Sequence, residues 1–203
     1  MFANTRRPSL SSKVDKNSPF MRTWSGKEIY FNNLEPDSIV IEDIAHALSL
    51  QCRFNGHCDE HYSVAEHSVK VATKLLETGD LTLAMTGLLH DAAEAYTGDV
   101  ISPLKKLLPG FKEIEARVEE CIAGVFDIPY PFPQEIHVAD KSTLDDEFSS
   151  IGPFCEEGSS VESLSPKQAE EAFLSMYYEL KKEILSGDKN KPTKTSLGIL
   201  QQT

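Results

Sequence analysis

The chain has 203 residues, 40 % apolar and 26 % charged, enough to bury one good core with loose ends. Its net charge of −12 and pI near 4.9 argue against a nucleic-acid groove or an anionic membrane surface as the general partner. No stretch reaches the roughly 18 apolar residues of a membrane span, and Cys52, Cys58, Cys121 and Cys155 show neither CxxC spacing nor the density of a disulfide scaffold, so a cytoplasmic protein with reduced thiols is expected.

In chain order, residues 1–18 mix Arg6, Arg7, Lys13 and Lys16 with Ser and Asn, the composition of a flexible arm. One domain is expected over residues 19–185. An extended region over 24–40, broken by Asn32-Asn33 and Glu35-Pro36-Asp37, predicts a hairpin, followed by a helix near 42–50. A helix over 62–76 carries Val64, Val69, Val71, Ala72, Leu75 and Leu76 in three- and four-residue steps and stops at Gly79. Residues 81–96 are nearly all apolar up to His90, which predicts a central helix buried on most faces. Further helices are predicted near 111–126, with Ile114, Val118, Ile122 and Val125 inward, and over 133–149 and 166–185. Residues 186–203, with Lys189, Lys191 and Lys194, resemble the first arm. The fold class is all-α, a compact bundle with a short N-terminal hairpin or extended segment.

The chemistry concentrates on the adjacent pair His90-Asp91. Neutral nitrogen beside anionic oxygen suits a divalent metal. On the predicted central helix Glu94 lies four residues after His90 and three after Asp91, so all three share one side and converge on one place. Burying several carboxylates there costs several kcal/mol unless a cation joins them. Two further donors stand elsewhere. His67 lies in line with Val64 and Val71 on an inward stripe, where a lone histidine is more often a core residue. Asp140 follows apolar residues on a predicted helix, where an acid beside Lys141 is more often an exposed carboxylate.

Taken in order, H…HD…D on successive helices resembles the HD-domain metal-dependent phosphohydrolase superfamily, most closely its compact branch of 5′-deoxynucleotidases and related small nucleotide hydrolases. The resemblance rests on Arg53-Phe54-Asn55-Gly56-His57, Tyr62-Ser63-Val64-Ala65-Glu66-His67-Ser68, Leu88-Leu89-His90-Asp91-Ala92-Ala93-Glu94, Gly98-Asp99, Pro103-Leu104-Lys105 and Ala139-Asp140, and it spans residues 24–150. It implies that His67, His90, Asp91 and Asp140 hold one divalent metal, with Mn, Co, Fe, Zn and Mg left open. It implies that Glu94 and Asp99 activate and orient the attacking water, with Glu94 the expected base, and that Arg53 approaches the substrate phosphate. It further implies a homo-oligomer, for which the stripe Phe173, Met176, Tyr177 and Leu180 offers a subunit contact or simply core packing.

Around that centre, Lys105 and His57 are candidate phosphate donors, with Lys106 and His61 behind them, and Trp24 and Phe54 are candidate stacking groups for a base. Each has a plainer reading as a solvated cation, a loop residue or a packing group. Glu147, seven residues after Asp140, lies on nearly the same helix face and ranks no higher than an ordinary surface acid. The expected reaction is hydrolysis of a deoxynucleoside 5′-monophosphate, the alternative release of triphosphate from a dNTP. A guanosine tetraphosphate hydrolase, a non-catalytic nucleotide sensor and a purely structural helical protein are the remaining readings.

Overall fold

The protein is all-α with a small N-terminal β-hairpin, as seen in a computed structural model that describes residues 18–151 and 163–187. The arm expected over residues 1–18 and the tail expected over 186–203 therefore fall, except for Ser18, Ser186 and Gly187, outside the described residues.

The hairpin begins earlier than its sequence pattern indicated. Strands β1 (Met21–Arg22) and β2 (Glu28–Ile29) pair antiparallel, with Met21 opposite Ile29. Trp24 falls in the turn between them, where Gly26 takes a φ of 87° that suits glycine. Residues 30–40 do not extend into a second strand, and Pro36–Ser38 form a single 3-10 turn. The hairpin is moored by buried Ile29 and by Asp43, whose carboxylate accepts from the Ser25 backbone N–H and from its hydroxyl, both at 2.7 Å.

Helix α1 (Ile41–Leu50) buries Ile41, Ile44, Ala45 and Leu48, a three- and four-residue repeat that makes one apolar stripe. Helix α2 (Val64–Leu76) starts two residues later than its apolar pattern because Ser63 is the N-cap, accepting from the Glu66 N–H at 3.1 Å. Glu66 is itself buried and its carboxylate accepts from the backbone N–H of Leu164 at 3.0 Å, which ties the entry of the last helix to α2.

The single central helix expected over 81–96 is in fact two. Helix α3 (Leu81–Leu89) is capped by Asp80, then residues 90–93 tighten into i→i+3 bonds before α4 (Glu94–Thr97). Helix α5 (Ser102–Lys105) follows, then α6 (Phe111–Phe126), α7 (Gln134–Ser150) and α8 (Pro166–Ser186). The last of these enters through a Ser165/Gln168 capping box and runs one residue into the expected tail.

Helices α2 and α3 pack against each other, with α7 across both and α8 against α1, α2 and α3. Gly87 makes that central approach possible, since a Cβ there would run into the Leu75 side chain. Phe173, Met176, Tyr177 and Leu180 are buried in this same core and so are not free to supply a subunit contact. Among the described residues, no helix is long and apolar enough to cross a membrane.

Candidate metal centre

Three helices bring His67, His90 and Asp140 together, with Asp91 beside both imidazoles. His67 stands at the end of the first turn of α2, His90 and Asp91 directly follow α3, and Asp140 comes from α7. Nε2 of His67 lies 3.1 Å from an Asp140 oxygen and 3.6 Å from an Asp91 oxygen. Nε2 of His90 lies 3.3 Å from the same Asp91 oxygen and 3.8 Å from that of Asp140. One ligand atom each from His67, His90 and Asp140 all fall within 4.8 Å of one another, and Asp91 reaches both imidazoles. The distance between the lone His on the α2 stripe and the HD pair was beyond sequence spacing; packing of α2 on α3 closes it.

Both rings are fixed by their other nitrogen. Nδ1 of His90 donates to the Gly87 carbonyl at 2.7 Å, and Nδ1 of His67 donates to the Glu147 carboxylate at 2.6 Å. With the proton on Nδ1, each Nε2 turns a lone pair inward. Both Nε2 atoms are buried and neither makes a hydrogen bond of acceptable geometry, a condition that native interiors seldom leave unexplained. Two such lone pairs facing two carboxylates fit a divalent cation.

The electrostatics point the same way. Burial opposes a charged His90 ring, yet Asp91 and Asp140 outweigh it and raise its pKa to about 9. Burial likewise works against ionised Asp140, but His67 and His90 hold its carboxyl well below the usual carboxylate range. The pocket thus draws positive charge between the rings and the acids.

Glu147 is the residue sequence reasoning undervalued. It is only 2 % exposed. One carboxylate oxygen accepts from both His67 and the Tyr62 hydroxyl, the latter at 2.7 Å, while the other lies 3.2 Å from the Arg53 guanidinium. Burial would raise its pKa, but His67 and Arg53 bring it down. Its one sequence signal was the seven-residue step from Asp140, which gives face but not depth.

Arg53 is buried between Glu147 and Asp91, 3.7 Å from the latter. Burial opposes its charge, and Glu147, Asp91 and Asp99 more than restore it. The next two residues, Phe54 (φ 57°) and Asn55 (φ 52°), both take the left-handed conformation that costs non-glycine residues energy and often marks functional sites. The Phe54 ring packs on Phe148 at 5.1 Å with the Arg53 guanidinium over it at 5.5 Å.

Glu94 begins α4, after the break that follows α3, close enough to Asp91 to feel its charge and in contact with Lys105 of α5. It is buried, with Oε1 at 3.3 Å from Lys105 Nζ and Oε2 without a hydrogen-bond partner. Burial, then Asp91 and Asp99, push its carboxyl up to about 9 against the pull of Lys105. Burial and Asp91 also raise Asp99, against Arg53. Lys105, expected to face a phosphate, is occupied by Glu115 at 2.7 Å as well as by Glu94. Gln51, which sequence reading passed over, clamps this stretch by donating to the Glu94 carbonyl at 2.9 Å and accepting from the Asp99 N–H at 3.0 Å.

The remaining candidates stand apart from the donor cluster in their contacts. His57 is exposed and closes the Arg53–Gly56 turn through its backbone. His61 is held by the Ser49 carbonyl at 3.0 Å. Trp24 is 67 % exposed and stacks on His46 of α1 at 4.6 Å.

No family model matches the chain. It is 35 % identical over 130 residues to an uncharacterized protein of Rhodobacter capsulatus, covering 61 % of this chain and 66 % of that one. It is also 38 % identical over 133 residues to the uncharacterized protein YfdR of Escherichia coli, covering 66 % of this chain and 72 % of its relative, and the chain belongs to the YfdR family.

Proposed function

We propose that this chain is an HD-domain phosphohydrolase that removes the phosphate of deoxynucleoside 5′-monophosphates. The observation that carries this reading is the pair of buried imidazoles, each donating through Nδ1 and each presenting an unpartnered Nε2 to carboxylate oxygens. His67, His90, Asp91 and Asp140 would hold a divalent metal. When bound, such an ion neutralises phosphate charge and lowers the pKa of coordinated water.

The protein's own groups supply the rest. Arg53, kept charged by Glu147 and Asp91, offers a fork of donors to phosphate oxygens. Glu94 would take up the proton released from water through Oε2 once the charge of a bound cation brings its carboxyl down from about 9, while Lys105 on Oε1 fixes the orientation of the carboxylate. Burial on the α3, α4 and α7 sides limits bulk water around these groups, and Asp140, 39 % exposed, marks the open side through which substrate enters.

Commitment of Lys105 to two carboxylates removes the strongest cation that favoured a triphosphate substrate. The test is a panel of deoxynucleoside mono- and triphosphates with Mn or Co, scored for inorganic phosphate against triphosphate. Phosphate release from the monophosphates that stops on chelation supports the proposal. Triphosphate release instead supports the alternative, and no turnover from a metal-loaded protein overturns both.

A further inference from the structure

Cys52 and Cys58 bracket the turn that carries Arg53, and their sulfurs lie 3.4 Å apart. The two ends of the surrounding segment are already pinned. Cys52 bridges Ser63 antiparallel, Arg53 N–H donates to the Tyr62 carbonyl at 2.8 Å, and Val64 N–H donates to the Gln51 carbonyl at 3.1 Å. Both thiols are half-buried, while Asn55, Gly56 and His57 between them are exposed, so a small reagent has an approach.

We propose that Cys52 and Cys58 form an oxidisable dithiol, a modification site for exchange with small-molecule disulfides that closes to an intramolecular disulfide around Arg53. A bonded pair needs sulfurs about 2.05 Å apart, so closure asks for a shift of little more than an ångström within one short turn. The reaction balances without a further reagent. One thiolate of the pair attacks the small-molecule disulfide, forming a mixed disulfide and expelling one thiolate. The second cysteine then attacks the mixed disulfide at the protein sulfur and expels the other. The two cysteines together lose two protons and two electrons, and the reagent is reduced to two thiols. The product is a covalent ring enclosing Phe54 and Asn55 with Arg53, whose guanidinium lies against Glu147 and Asp91.

The experiment treats the full chain with oxidised glutathione, alkylates the remaining thiols, and reads intact mass and unreduced peptides. Expected is a product lighter by two hydrogens, with Cys52 linked to Cys58, Cys121 still alkylated, and full reversal by dithiothreitol. Cys121→Ser should form the same link. Cys58→Ser should form none and should stop at a glutathione adduct on Cys52. The proposal is overturned if Cys52 and Cys58 in the native chain end as separate adducts or free thiols, if the link maps to Cys121 or Cys155, or if Cys58→Ser still yields an intramolecular link from Cys52. None of these readings depends on metal binding or turnover, so a failure here leaves the phosphohydrolase reading intact, and the reverse holds too.

Discussion

The centre between α2, α3 and α7 and the flank formed by α4, α5 and α6 handle buried charge in opposite ways. In the centre, each imidazole is anchored from behind and leaves its other nitrogen without a hydrogen bond, an arrangement that could hold a cation. On the flank, Glu94 and Glu115 share Lys105, and Glu119 accepts from Tyr130, so the acids mostly answer to the protein itself. The imidazoles are held from behind and open in front, whereas the flank charges largely neutralise one another, with Oε2 of Glu94 left without a partner.

The largest effect should come from opening the centre. Asp140→Asn is expected to abolish the divalent ion retained after dialysis, read by elemental analysis, whereas a wild-type level of retained metal would erase the contrast with the flank. Glu147→Gln touches no metal directly but loosens the His67 ring, and a loss of about 10–100-fold in Mn affinity is expected by titration. Gly87→Ala presses a methyl group onto Leu75 between the two ligand-bearing helices and should cost about 1–3 kcal/mol in urea unfolding.

On the flank, Lys105→Met should destabilise by about 1–2 kcal/mol while leaving metal content unchanged, because it strands Glu94 and Glu115 without touching a donor. The smallest change concerns Glu119, whose pKa is raised above its ordinary 4.5 by burial and Glu115. A raised carboxyl means the folded chain binds the proton more tightly than the unfolded chain. Its contribution is therefore fully present below about pH 4.5 and lost as pH rises through the folded value. Glu119→Gln removes that loss, so its melting temperature should rise slightly at pH 7 and match wild type near pH 4. Equal midpoints at both pH values would remove burial as the cause.

Much of the centre was legible because apolar periodicity places residues on faces. His67 fell on the stripe with Val64 and Val71, and Asp140 followed apolar neighbours on a helix found within one residue of its expected ends. What periodicity hides is a change in helical pitch inside a buried run. Ala92, Ala93, Ala95 and Tyr96 are all buried, so the pattern continues smoothly across the break after Leu89 and reads two helices as one. Partners remote in sequence are hidden too. The charge of Lys105 was plain, but its engagement by Glu115 depends on how α5 meets α6, and the depth of Glu147 depends on how α7 lies over Tyr62 and Arg53.

The chain has one tryptophan, and its ring rests on His46 at the hairpin turn, far in contact terms from the four donors. Intrinsic fluorescence will therefore report whether the N-terminal ribbon is seated on α1, and a metal titration followed by that signal alone would look silent even if an ion bound.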